Sequence, residues 1–185
     1  MREVRSKDGM YSTICPVFMI SQLSIERINA DAPYKVEKDE VTGSYDFVTD
    51  VGVHITIYFD EDFMITTGES YQLIIGNANN RKSPRDAKLQ KTVLAIVEEF
   101  FYTNQAAMLY ICETGDGKQG MRSRLFSYWF EAYEYNSRYS LHTTCVKDEE
   151  GVTNFAALII RNDNPLIVEI VNEFMETARA LQQKP

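Results

Sequence analysis

Between Met108 and Tyr133 an apolar stretch breaks into a polar, glycine-containing loop and then an aromatic run, and the residues best suited to hold a ligand fall here. Arg122 and Arg124 carry guanidinium groups whose planar fork matches a carboxylate or phosphate, Glu113 and Asp116 supply acids, and Trp129 and Phe130 supply rings that could wall a ligand. Gly115-Asp-Gly-Lys-Gln-Gly120 fits the G-x-G-x-x-G spacing of a dinucleotide loop. Such a loop needs a second parallel strand ending in an acid about 20 residues on. Here that region is still aromatic helix pattern through Tyr135, so the glycines are read as a turn. A second candidate is Asn79 to Arg85, where Arg81, Lys82 and Arg85 accompany Ser83 at a helix start, an arrangement whose free backbone N–H groups can bind an anion.

Other chemistries find less support. His54 and His142 are the only histidines, and neither stands at metal-ligand spacing from a second histidine or a carboxylate. Cys112 follows an apolar run and reads as a small buried strand residue rather than a nucleophile. Asp60, Glu61 and Asp62 read as a solvated turn. No cofactor and no metal is expected.

The elements that must position these residues are legible as patterns. Tyr34 to Val36, Tyr45 to Thr49, Val53 to Phe59 and Tyr71 to Ile75 read as four short strands of an antiparallel meander. In the clearest, Val53, Ile55, Ile57 and Phe59 alternate with His54, Thr56 and Tyr58, as in a sheet with one buried face. Ser83, Pro84 and Asp86 predict a helix start, and Leu89, Val93, Ile96, Val97 and Phe100 carry its apolar stripe to about Tyr102. Ala106 to Cys112 reads as a strand and Gln119 to Tyr135 as a helix. Tyr139 to Val146 and Val152 to Arg161 read as a hairpin, and a last helix starts at Asn164 and Pro165. The order predicts an α+β fold, an antiparallel meander followed by α-β-α-β-β-α, with helices packed on a mixed sheet. That order also parallels the core of acetyltransferases that bind coenzyme A, although their glycine-rich pyrophosphate motif is replaced here by the serine-proline start.

On a helical wheel, Met121, Leu125, Phe126, Tyr128, Trp129, Phe130, Ala132 and Tyr133 cover about 200°, wider than one core contact requires. The helix is therefore either packed on two sides or exposes part of the arc as a contact surface. Arg122 falls inside the arc and Arg124 on the polar side near Glu131. A cation in a first turn opposes the helix dipole and calls for an anion, for which Glu113 and Asp116 are near in sequence. The alternative is that Arg122 faces a ligand carboxylate or phosphate.

Several of these runs carry a family resemblance. Tyr45-Asp-Phe-Val-Thr-Asp-Val-Gly52, then Tyr110-Ile-Cys-Glu113 with Asp116, Arg122, Arg124, Leu125, Phe126, Trp129 and Phe130, and finally Asp163-Asn-Pro165, resemble the domain of unknown function family 6169 of small Bacteroidetes proteins. The resemblance covers roughly Pro33 to Leu181, and its most specific part is the arginine-to-phenylalanine segment. It implies a soluble single domain without an established activity.

Composition bounds the remaining choices. The 185 residues carry a net charge of −8, so the average surface repels nucleic acid, and no apolar run is long enough to span a membrane. Three widely spaced cysteines suggest neither a disulfide framework nor a zinc site and fit a reducing cytoplasm. Residues 1–30 are expected to form a loosely ordered extension to a domain spanning 31–185, or translation to start at Met10 or Met19. The leading functional expectation is a non-catalytic interaction or regulatory module that meets a protein partner, or itself, through the aromatic arc. The alternative is an anion-binding small-molecule site, acetyltransferase-like in holding coenzyme A.

Overall fold

The computed structural model describes residues 20–112, 117–147 and 150–182. A helix, α1 (Ile25–Asp31), leads into four strands, β1 (Glu37–Lys38), β2 (Tyr45–Val48), β3 (His54–Glu61) and β4 (Ser70–Asn77). Helix α2 (Ala87–Thr103), strand β5 (Ala107–Ile111) and helix α3 (Gln119–Glu131) follow. A 3-10 turn at Asn136–Arg138 then enters the hairpin β6 (Tyr139–Lys147) and β7 (Thr153–Arg161), and α4 (Ile167–Gln182) comes last. The strands form one sheet in the order β1-β2-β3-β4-β5-β7-β6. Every pairing is antiparallel except β4–β5, whose parallel connection is made by α2. The fold is α+β with a mixed sheet, and from β1 onward the main elements follow the order the sequence predicts.

At β5 and the end of β7 both faces of the sheet are covered, and the two-residue period of a strand divides the core. Met108 and Ile159 pack with Val93, Ile96, Phe100 and Phe101 of α2 and with Phe126 of α3. Their neighbours Leu109, Leu158 and Ile160 point the other way, against Ile170 and Phe174 of α4. Burial on both sides explains why β5 and the end of β7 read as continuous apolar runs whereas β3 alternates.

Three local expectations change. The first strand is β1 at Glu37–Lys38, while Tyr34 and Val36 are buried as irregular chain beside it. Helix α2 begins at Ala87, because the carboxylate of Asp86 accepts hydrogen bonds from the Lys88 and Leu89 amides and so caps it. Ser83 and Pro84 precede it as loop. Helix α3 stops at Glu131, short of Tyr135.

The expectation of a loose extension through residue 30 does not describe residues 20–30. Leu23 and Ile28 are buried in the main core, and Ser24 caps α1 by accepting the Arg27 amide. Glu99 of α2 reaches up to accept the Ser24 amide at 2.9 Å and the Arg27 guanidinium at 2.8 and 2.6 Å. The apolar residues at 20, 23, 25 and 28 are a helix entry signal that the basic residues before them obscure. The possible starts at Met10 and Met19 lie outside the described residues.

Candidate functional site

Helices α2 and α3 lie side by side on the same sheet face, and the gap between them forms a cleft. In α2, Val93, Val97 and Phe101 recur every four residues and point into the gap, with Leu94 and Glu98 alongside. From α3, Phe126, Trp129 and Phe130, with Tyr133 just past its end, recur at three- and four-residue spacing and face them. Tyr139 of β6 and Ile159 of β7 close the floor. The slot so formed is almost wholly apolar and holds about 30 Å³ of free space. It continues into a wider hollow of about 460 Å³ lined by Glu98, Phe101, Tyr102, Arg138, Tyr139, Arg161, Asn162 and Asp163. Glu98, Phe101 and Tyr139 belong to both spaces.

The charged groups around the hollow differ in how far they are already satisfied. Arg161 donates Nε and Nη2 to the two carboxylate oxygens of Asp163 and Nη1 to the Phe101 carbonyl at 2.9 Å, so it is anchored. Arg138 is exposed, its guanidinium 4.3 Å from the centre of the Tyr135 ring. Glu98 forms no ion pair among the described residues. The Tyr133 hydroxyl is buried and forms no hydrogen bond. Burial pushes its pKa well up and the neighbouring Glu98 carboxylate pushes it further, although that contact falls short of satisfying the hydroxyl. Tyr139 is raised by burial first and by Glu98 second. Of these groups only the Tyr133 hydroxyl is a buried polar atom without a partner, while half-buried Glu98 and exposed Arg138 form no ion pair among the described residues.

The sequence candidates meet this cleft only in part. Trp129 and Phe130 are half-buried and line the slot, so the wide arc of α3 is divided: Phe126, Trp129, Phe130 and Tyr133 turn inward. Met121, Leu125 and Tyr128 turn outward at 63%, 43% and 61% exposure. Arg124 is exposed on the outer side with Glu131. Arg122 is half-buried near the end of β5, where its charge acts on Tyr110 and Cys112. Glu113 and Asp116 lie outside the described residues. Cys112 is buried and its thiol pKa is raised by that burial, which leaves it protonated and a poor nucleophile.

At the other candidate, Arg81, Lys82, Ser83 and Arg85 are all exposed, and neither they nor Arg122 line the slot or the hollow. The first amides of α2 are already taken by Asp86. Arg81 folds back over the turn at Val51 and Gly52, donating Nη1 to their carbonyls at 3.5 and 3.4 Å. Gly52, at φ +75°, both closes that turn and leaves room for the guanidinium. No group of three or more potential metal ligands forms among the described residues.

Glu98, Arg138, Tyr139 and Arg161 are the cleft residues that the sequence did not point to, while Tyr133 was legible only as part of the aromatic arc. Arg161 meets Tyr139 only because they are register partners in β6–β7, and Glu98 meets Tyr133 only because α3 crosses beside α2. The one local signal was Glu98-Glu99 inside an apolar helical run between Val97 and Phe100.

Fold and cleft together define an α+β protein with a two-helix cleft on one sheet face. Residues 85–176, about half of the chain, match the model described as Family of unknown function (DUF6169), and the chain belongs to that family through them. The match is narrower than the Pro33–Leu181 resemblance, leaves out the Tyr45–Gly52 run, and contains every residue that lines the slot and the hollow. No curated protein and no solved structure matches the chain.

Proposed function

We propose that the chain is a non-catalytic interaction module that engages a protein partner, or a second copy of itself, through the outward face of α3. The observation that carries the reading is the stripe Met121, Leu125 and Tyr128, spaced by four and three residues and exposed in spite of its apolar character. Burial by a partner would remove that apolar area from water, at roughly 25 cal/mol per Å². Exposed Arg124 and Glu131 flank the stripe, supplying the polar rim of such an interface. A net charge of −8 argues against nucleic acid as the partner. No helix among the described residues is long and apolar enough to cross a membrane. The free thiols of Cys112 and Cys145 suit a reducing cytoplasm. The coenzyme A alternative rests on a helix start that Asp86 already caps, and nothing in the cleft favours it.

The test is a photo-reactive phenylalanine analogue placed at Tyr128 in the producing cell, with Tyr102 as control. Tyr102 is 70% exposed and lies under Arg27 instead of on α3. Cross-links at residue 128 and none at 102 are expected. Equal labelling at the two positions, or none at 128, overturns the reading.

A further inference from the structure

The cleft on the inner side of α3 lies apart from the outward stripe of Met121, Leu125 and Tyr128. Three of its polar groups lack a complement within the described residues. Glu98 lines both the slot and the hollow without an ion pair, Tyr133 Oη is buried beside it without a hydrogen bond, and Arg138 borders the hollow without a carboxylate partner. Arg161 and Asp163 neutralise one another and add no net charge. A buried polar group left unsatisfied is costly, and a ligand able to satisfy it gains that free energy on binding.

The arrangement of these groups constrains the ligand. Unpaired negative charge sits where the hollow meets the slot, in a wall of Phe101, Trp129, Phe130, Tyr133 and Tyr139. Aromatic lining and a carboxylate together favour an ammonium group. Unpaired positive charge sits on Arg138, which borders only the hollow. A simple cation would leave Arg138 unused, and a simple anion or a polyphosphate would leave Glu98 unmatched. The hollow of about 460 Å³ suits a small metabolite, whereas the 30 Å³ slot admits no more than a small alkyl group. We propose that the α2–α3 cleft binds a small zwitterion, its ammonium and attached alkyl group against Glu98 and the aromatic wall, its carboxylate at Arg138.

Trp129 is the only tryptophan of the chain and lines the slot, so its fluorescence reports occupancy directly. The full chain is titrated with glycine betaine and L-valine as zwitterions, with choline as a cation alone and acetate as an anion alone. At least one zwitterion is expected to give a saturable change, with choline and acetate binding about tenfold more weakly or worse. Glu98→Gln and, separately, Arg138→Ala each weaken the zwitterion by about tenfold, with thermal melts that show the variants folded. Tyr133→Phe serves as a second inner-wall variant that preserves packing, and a several-fold loss is expected. Absence of a saturable response to both zwitterions overturns the proposal, as does choline or acetate binding equally well. Unchanged binding in folded Glu98→Gln also overturns it.

Discussion

Glu98 and Glu99 are neighbours on one helix and have opposite fates. Glu99 turns toward α1 and is 5% exposed, its carboxylate accepting from the Ser24 amide, the Arg27 guanidinium and the Thr103 hydroxyl. Burial works against its ionisation, but those donors, Arg27 foremost, hold its pKa below the ordinary value. Glu98 turns toward α3, half-buried, and finds only the Tyr133 hydroxyl at imperfect reach. The two helix seams built around these acids differ accordingly. The α1–α2 seam is closed by polar groups that satisfy each other, so its acid is structural. The α2–α3 seam is almost wholly apolar, and its acid, Glu98, forms no ion pair among the described residues, so that charge adds little to stability.

The largest effect should come from breaking the closed seam. Glu99→Ala removes the acceptor for three donors and leaves the Ser24 amide without its partner. We expect a loss of about 3 kcal/mol in urea unfolding, with protease cleavage appearing first in residues 20–32. Retention of full stability would mean that the seam is held by Leu23 and Ile28 alone.

This contrast was half visible in the sequence. The strand and helix patterns gave the element order and the mixed sheet, because apolar period is local information: Ile55 and Ile57 alternate, and Leu89, Val93 and Ile96 form a stripe, whatever lies across from them. The parallel β4–β5 contact was implied once a helix separated two strands. What the two glutamates do depends instead on partners far along the chain, 72 residues for Arg27 and Glu99. No periodicity records that. Trp129 and Phe130 were recognised from the width of the α3 arc, but which part faces inward was set by where α2 lies. Arg81, Lys82, Ser83 and Arg85 misled because charge and serine-proline chemistry suggested a helix start that Asp86 provides three residues later.

A second polar clamp of the closed kind ties α4 to the loop before β4, and pH should probe it. Burial opposes ionisation of Glu173, but the Thr66 hydroxyl and the Thr66 and Thr67 amides lower its pKa from 4.5 to about 2. A folded-state pKa below the unfolded one stabilises the protein above the unfolded value, and the contribution disappears as pH falls through the folded value. Stability should therefore decline between about pH 4.5 and pH 2. After discounting for solvent screening, Glu173 accounts for about 1 kcal/mol of that decline. Glu173→Gln should flatten that limb in melts recorded across the window, and an unchanged slope would assign the acid sensitivity to Glu99.

The open seam should respond with the opposite sign. Tyr133→Phe deletes a buried hydroxyl that forms no hydrogen bond and keeps the ring against Tyr135 and Tyr139. Its removal should raise stability by about 0.5 to 1 kcal/mol in the same unfolding assay. A destabilised variant would show that the Glu98 contact is a formed hydrogen bond, and the two seams would then be alike.

The smallest expected effect is the one that separates them best. Glu98→Gln exchanges a carboxylate for an amide of the same shape beside Tyr133 and Tyr139, and it breaks no ion pair among the described residues. Stability should stay within about 0.5 kcal/mol of the parent, since no cavity forms and no partner is stranded. The amide can donate as well as accept, so any shift should favour the variant by giving the Tyr133 oxygen a donor. The same change one position later, Glu99→Gln, keeps the shape but sets an amide against Arg27 and should cost clearly more. Thermal melts of the two variants, identical in chemistry and adjacent in sequence, measure the asymmetry of α2 directly: equal losses would mean that Glu98 is as structural as its neighbour, while a loss confined to Glu99→Gln leaves Glu98 unused by the fold.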